Sequence, residues 1–303
     1  MITPSTANPA TGLAGARLAV LGSPIAHSQS PALHRAAYAT LGLDWSYDAI
    51  EVAEGALSGF IAGLGSEWRG LSLTMPLKTE AAAQITDLDP LAAQTGAVNT
   101  VLLQGGASDQ TRSGFNTDVT GLVRALAEGG VVSARRVVIL GAGATASSAL
   151  LAAAEIGAES VDILVRTPRK AAHLVDLARS QGLVATVSAL PTGAESVGPT
   201  SANGALAGPA DLLISTLPGG TQLGDVFPAS WRRDTVLFDV AYSPWPSALA
   251  TAWLQVDGTV LNGLSMLLHQ ALIQVRIFVN GDPFEPVERE HEVLAAMRAA
   301  LAG

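Results

Sequence analysis

Arg135–Thr167, RRVVILGAGATASSALLAAAEIGAESVDILVRT, is the stretch whose reading decides the fold. It reads as strand, Gly-rich turn, helix, strand. Val137–Leu140 is a short apolar, β-branched run of the kind buried on both faces of a parallel sheet. Gly141, Ala142 and Gly143 follow at once, then Ala144, Thr145 and Ala146, which completes the pattern G-x-G-x-x-G/A with alanine in the last place. Small residues there let backbone N–H groups approach a pyrophosphate at a helix N-terminus. Ser147–Ile156 has helical composition, and Val161–Val165 is a second strand. Set between a buried strand and a helix, the hexamer points to dinucleotide binding; a purely structural strand-to-helix turn is the other reading.

Composition bounds the rest. The 303 residues suffice for two domains and a large core. Apolar residues make up 49% and aromatics 5%, which suits helices packed on parallel sheets. The net charge of −9 argues against general nucleic-acid binding, which needs a basic face. The absence of cysteine excludes disulfides, thiolate metal sites and cysteine nucleophiles. The five histidines are scattered without metal-ligand spacing, so no metal is expected. Arg17 is the first charged residue, so the basic region of a signal peptide is missing. No charge-free, glycine-free apolar run reaches about 18 residues, so no membrane span is expected. The expectation is a soluble, cytoplasmic α/β protein.

In chain order, residues 1–15 read as a loose tail and Arg17–Gly22 as a strand. A helix to Leu41 follows, with Ser30 placed as N-cap and Pro31 at its first position. Ser28 and Ser30 either cap that helix or, with the helix end, hold a small anion or polyol. Trp45–Val52 reads as a strand, Glu54–Leu64 as a helix and Gly70–Thr74 as a strand. Pro76 suits a first helical turn, which puts Lys78 in that turn. A cation there faces the positive end of the helix dipole. Lys78 is either a solvated surface lysine or an acid/base group. Asp87–Ala93 reads as a short helix, and Ala97–Leu103 as a strand enclosing Asn99, which is a structural hydrogen-bonder or a ligand contact. Gly105–Ser113 reads as a hairpin-like turn. Gly114–Asp118 then opens a helix to Glu128, with Asn116 or Thr117 as cap and Asp118 in the first turn, either compensating the dipole or acting in catalysis. Beyond Val165 a helix over Thr167–Gln181, strands at 183–188, 211–215, 235–239 and near 259, a loop over 191–209, and helices over Leu264–Val279 and Pro286–Leu301 complete the series. This gives two α/β domains, the first with a mainly parallel sheet and the second Rossmann-like, with a ligand expected in the cleft between them at the C-terminal ends of the strands.

Taken together the segments resemble shikimate dehydrogenase. The resemblance runs from Arg17 to Ala300 and rests on several motifs in order: Gly22–Pro31 (GSPIAHSQSP), Thr74–Lys78 (TMPLK), Gly96–Thr100 (GAVNT), Asn116–Asp118 (NTD), the Gly loop, Asp239 with Tyr242, and Gly263–Gln270 (GLSMLLHQ). It implies a substrate-binding domain of residues 1–117 plus 263–303 and an NADP-binding domain of residues 118–262. It implies Lys78 and Asp118 as the catalytic pair, and Ser28, Ser30, Thr74, Asn99, Tyr242 and Gln270 as shikimate contacts. Cofactor contacts are implied at Gly141, Ala142, Gly143, Ala144, Thr145, Ala146, Arg166, Thr167, Arg169, Thr216, Gly263 and Met266. The sequence departs from the family's usual residues at Gln29 (usually Lys or Arg), Ser72 (Asn), Val119 (Gly) and Val165 (Asn).

The implied activity is NADPH-dependent, reversible reduction of 3-dehydroshikimate to shikimate, by a monomer or homodimer. The choice of cofactor also has a physical basis. An NAD site wants a carboxylate at the end of the second strand, and here that strand ends in Val165-Arg166-Thr167, with Arg169 and Lys170 next and Asp162 too early. A guanidinium suits a 2′-phosphate. The alternatives are an NAD-using quinate/shikimate dehydrogenase, a methylene-tetrahydrofolate dehydrogenase and a non-enzymatic cofactor-binding sensor.

Overall fold

The computed structural model describes residues 15–105, 111–190, 208–223 and 226–302. The expected tail before Gly15, the tip of the turn between Gly105 and Thr111, and the loop over 191–207 lie outside the described residues. Contacts divide the chain into two compact units, residues 1–117 with 270–303, and residues 118–269. No helix among the described residues is long and apolar enough to cross a membrane.

The first unit contains β1 (Arg17–Gly22), α1 (Ser30–Leu41), β2 (Ser46–Glu51), α2 (Leu57–Ala62), β3 (Trp68–Leu73), α3 (Leu77–Gln84), β4 (Asp87–Leu88), α4 (Pro90–Thr95), β5 (Thr100–Gln104) and β6 (Thr111–Phe115). Its sheet has the order β2-β1-β3-β5-β6-β4. β1 is parallel to β2 and β3, β5 is antiparallel to β3 and β6, and β4 is parallel to β6. The central strands carry Ala19, Leu21, Leu71, Leu73, Val101 and Leu103 into one apolar cluster, closed by Leu57 and Ile61 of α2 and Leu77 and Ala81 of α3. Because β5 runs against β3, its start lies at the C-terminal ends of β1 and β3. That end is where loops carry function in such sheets.

Several boundaries differ from the sequence reading. Asp87–Leu88 is a strand paired with Ser113–Gly114, not the start of a helix. The helix begins only at Pro90, because the Asp89 carboxylate caps it by accepting from the Ala92 N–H at 2.8 Å. β6 escaped notice because Thr-Arg-Ser-Gly-Phe shows no clear apolar alternation. Asn99 precedes β5 instead of lying inside it. Ser30 is the first residue of α1 instead of its cap; Gln29 holds the cap position, and Ser28 Oγ accepts the Ser30 N–H at 3.3 Å.

The second unit contains α5 (Asp118–Glu128), β7 (Arg136–Leu140), α6 (Ala144–Glu155), β8 (Ser160–Val165), α7 (Ala172–Ser180), β9 (Val184–Ala189), β10 (Leu212–Ser215), α8 (Ala229–Asp234), β11 (Val236–Asp239), α9 (Ala248–Leu254) and β12 (Val260–Asn262). α10 (Gly263–Asn280) begins in this unit and ends in the first, where α11 (Glu290–Ala302) packs on α1. The second sheet is wholly parallel in the order β12-β11-β10-β7-β8-β9. The order reverses between β7 and β10, the switch point at which doubly wound sheets bind ligands. Val138, Leu140, Leu213 and Leu237 pack on Phe227, Trp231 and Trp253. The short helices α8 and α9 had no periodic signal, and their tryptophans anchor them. The helix expected from Thr167 starts as a 3₁₀ turn over Pro168–Ala171. The last helix starts at Glu290, not Pro286, with the Glu290 carboxylate accepting the Val287 N–H at 3.2 Å.

A methyl group at Gly70 would collide with the Phe278 ring and lie 2.8 Å from the Val101 carbonyl oxygen. Gly70→Ala is therefore expected to destabilise the protein by about 1–3 kcal/mol, measured as a lowered midpoint in thermal or urea unfolding.

Candidate active site

At one end of the first sheet the chain brings four of the expected site residues together. Thr74 follows β3, and its N–H reaches the carbonyl of Leu21 in β1 at 2.9 Å. Lys78 is the second residue of α3, and its backbone oxygen accepts the N–H of Val98 at 2.9 Å, which places it beside Asn99. The backbone oxygen of Asn99 accepts from Leu73 N–H at 2.7 Å. Gln270 reaches the same place from α10, with its Oε1 3.4 Å from Asn99 Nδ2. Ser28 and Ser30 stand at the start of α1, with the Ser30 side buried to 6% exposure.

Asn99 is 1% exposed, so its carboxamide must be satisfied by protein groups. Its Oδ1 accepts from Thr100 Oγ1 at 2.8 Å and from the Thr117 N–H at 2.9 Å, while its Nδ2 donates to Thr117 Oγ1 at 2.9 Å. Asn116 Nδ2 donates to Thr95 Oγ1 at 2.8 Å. Behind Asn99 lie buried polar side chains that the sequence reading missed: Thr100, Gln274, Ser72, Tyr47 and His34. One signal was available, since Gln274 is polar, four residues after Gln270, on an otherwise apolar stretch of helix.

The second unit holds the phosphate-type turn and the remaining expected residues. Gly141 ends β7 with φ +109°, and a Cβ there would lie 2.5 Å from Thr216 Oγ1, so only glycine leaves the turn open. Thr216 Oγ1 in turn donates to the Leu140 carbonyl at 2.7 Å. Gly143 is the N-cap of α6; its carbonyl accepts the Ala146 N–H at 2.9 Å, so the N–H groups that the helix itself leaves without an acceptor are those of Ala144 and Thr145. A pyrophosphate therefore fits this turn, in a cradle that a side chain would fill. Arg166, Thr167 and Arg169 are exposed just beyond β8. Asp162, the acidic residue of that strand, is committed elsewhere, paired with Arg136 at 3.1 Å and accepting from Thr186 Oγ1 at 2.5 Å. Gly263 opens α10 where a Cβ would collide with the Val240 carbonyl, and Met266 is buried one turn on. Asp118 is the buried first residue of α5, a favourable place for a carboxylate. Tyr242 follows β11, in a turn tied down by Asp239, which accepts from Ser247 Oγ at 2.6 Å and Ala241 N–H at 3.2 Å. Burial pushes the Tyr242 hydroxyl up from its usual range. It also raises Asp239, with the Ser247 bond acting the other way. Among the described residues no group of three or more His, Asp or Glu is placed to hold a metal ion.

Residues 20–101 match the family model described as the shikimate dehydrogenase substrate binding domain. The chain is 34% identical to shikimate dehydrogenase (NADP(+)) of Methanothermobacter thermautotrophicus, over 87% of this chain and 91% of that one. Among solved structures it is similar to shikimate dehydrogenase of Mycobacterium tuberculosis, at 35% identity and a TM-score of 0.74, covering 94% of this chain and 99% of the other. It is also similar to shikimate 5-dehydrogenase of Thermus thermophilus in complex with NADP(H) and shikimate, at 31% identity and a TM-score of 0.73, with 94% and 99% coverage.

Burial lowers the His34 imidazole from 6.5 to about 3, against the opposing effect of its hydrogen bond to Gln274. Its folded pKa lies below its unfolded one, so its contribution to stability is whole above pH 6.5 and declines as pH falls toward 3. The decline is about 1.4 kcal/mol per pH unit within that window. Urea unfolding of His34→Gln between pH 7.5 and pH 4.5 is expected to show a shallower loss of stability than the parent chain, whatever its offset at pH 7.5.

Proposed function

The chain belongs to the shikimate dehydrogenase family, and on that premise we propose that it catalyses the reversible, NADPH-dependent reduction of 3-dehydroshikimate to shikimate. One observation carries the reading: Thr74, Lys78, Asn99 and Gln270 converge at one end of the first sheet, beside polar partners that hold the two carboxamides. Such a cluster suits a polyol, and Lys78 is the amine we read as acting beside it. The relatives' names supply the polyol and the cofactor.

In this reading the first unit takes the substrate and the second takes NADP. Ser28 and Ser30 hold the carboxylate with the help of the α1 N-terminus. Asn99, Gln270 and Asp118 hold ring hydroxyls, and Thr74 and Tyr242 complete the substrate contacts. The turn Gly141–Ala146 takes the pyrophosphate, Arg166, Thr167 and Arg169 take the 2′-phosphate, and Thr216, Gly263 and Met266 supply further cofactor contacts. When bound, NADPH supplies the hydride to the C3 carbonyl of 3-dehydroshikimate. Lys78 gives a proton to the C3 oxygen and, while charged, stabilises the negative charge that develops there. Asp118 orients that oxygen and the lysine amine. In the reverse direction Lys78 takes the proton from the C3 hydroxyl. The enzyme is read as cytoplasmic and as a monomer or homodimer, the latter point open to light scattering.

Two kinetic outcomes are expected. Lys78→Ala should lower turnover of shikimate about 10²–10⁴-fold while NADPH affinity, read by fluorescence titration, stays unchanged; equal losses in both would refute the assignment. The parent chain should prefer NADP⁺ to NAD⁺ and shikimate to quinate when all four pairings are followed by NADPH or NADH absorbance. Arg166→Ala with Arg169→Ala should raise KM for NADP⁺ about 30-fold or more, since two charged contacts at about 1 kcal/mol or more each sum to about 2 kcal/mol or more, and leave KM for NAD⁺ nearly unchanged. A rise for both cofactors alike would refute the 2′-phosphate role.

A further inference from the structure

Gln274 lies one turn beyond Gln270 on α10 and is 2% exposed. Its Nε2 donates to the backbone oxygen of Asn99 at 3.1 Å and to Thr100 Oγ1 at 2.9 Å. A backbone oxygen can only accept, so the carboxamide has one orientation, nitrogen toward Asn99. Its Oε1 therefore accepts, from Ser72 Oγ at 2.9 Å and from His34 Nε2 at 3.1 Å. A neutral imidazole that carries its proton on Nε2 has an acceptor at Nδ1, and the Tyr38 hydroxyl donates to it at 3.1 Å. The Tyr47 hydroxyl donates to Ser72 Oγ at 2.7 Å, and the Tyr47 ring stacks on His34 with centroids 4.0 Å apart.

The direction of every bond on the other side follows. Thr100 Oγ1 accepts from Gln274, so its own proton goes to Asn99 Oδ1, at 2.8 Å. Asn99 Oδ1 is then an acceptor twice over, and Asn99 Nδ2 faces Thr117 Oγ1 and Gln270 Oε1. Gln270 accordingly has its oxygen turned inward. The Thr117 backbone N–H, which can only donate, sets the same direction at Asn99 Oδ1, so Gln274 and Thr117 agree on which ends of Asn99 and Gln270 donate and which accept. Gln274 is the amide that meets β3, at Ser72, and β5, at Thr100, together.

We propose that Gln274 is a positioning residue for the substrate: through Thr100, and in concert with the Thr117 N–H, it holds the Asn99 carboxamide in place, and through Asn99 it holds Gln270, so that both present a defined donor and acceptor pattern to ring hydroxyls. The inference rests on the reading of Asn99 as a shikimate contact. Its energetic scale is one buried hydrogen bond misdirected, or about tenfold in kcat/KM.

The test is a set of steady-state and thermal-unfolding measurements on Gln274→Leu, Asn99→Ala, their double variant, Thr100→Val and Thr100→Ser. Gln274→Leu is expected to lower kcat/KM for shikimate about tenfold with KM for NADP⁺ unchanged. Thr100→Val should reproduce the loss, and Thr100→Ser, which keeps the hydroxyl, should rescue it. In the Asn99→Ala background Gln274→Leu should have no further effect. The proposal is overturned if the Gln274→Leu and Asn99→Ala losses multiply, if Thr100→Ser is as impaired as Thr100→Val, or if Gln274→Leu lowers only the melting temperature. Should Gln274→Leu fail to fold, the Thr100 pair carries the decision alone. If Asn99→Ala leaves kcat/KM for shikimate intact, the substrate contact itself is wrong and the relay falls with it; if Asn99→Ala is impaired and the other comparisons fail, only the relay falls.

Discussion

Burying the carboxamide of Asn99 obliges each of its polar atoms to find a protein partner, because an unsatisfied buried amide costs about 1–3 kcal/mol. That obligation organises the working end of the first unit. Thr100 and the Thr117 backbone meet the oxygen, while Thr117 Oγ1 and Gln270 face the nitrogen. Gln274 secures the backbone oxygen of the same residue. Strand β5, the turn after β6, and helix α10 are thereby tied at one point.

The second unit answers to a different constraint, close approach of backbone to backbone or ligand. Gly141 has a positive φ and no room for a Cβ beside Thr216, and Gly263 has none beside the Val240 carbonyl. Both lie just past the C-terminal end of a strand in a wholly parallel sheet. Hydrogen bonding there is supplied by backbone N–H groups at the start of α6, which need no side chain. Under the proposed function the two units recognise by opposite means. One uses locked side-chain amides and hydroxyls suited to a polyol; the other uses bare backbone and exposed guanidinium groups suited to phosphate.

Charged groups divide in the same manner. Asp162 could be mistaken for the acidic residue that reads a ribose hydroxyl, yet its ion pair with Arg136 and the bond from Thr186 make it part of the sheet's framework. Arg166 and Arg169, by contrast, are exposed. Asp118 gains from the dipole of α5, whereas Lys78 sits at the wrong end of α3 for a cation.

The sequence by itself determined the parallel second sheet, the glycine turn and the order of strands and helices around them, because apolar runs and positive-φ glycines are local properties of the chain. It also singled out Lys78, a cation at the positive end of a helix, and Asn99, a polar residue in an apolar run, whereas Gln270 was marked only by the family resemblance. Weakly patterned pieces were lost: β4, β6, α8 and α9 form because of their partners, Ser113–Gly114 for the first and the packing of Trp231 and Trp253 for the last two. Only the tertiary structure decided which buried polar groups act as one. Gln274 and Asn99 are separated by 175 positions and joined by one hydrogen bond. Donor and acceptor directions in a buried network are set by partners brought from distant segments, and no local pattern encodes them.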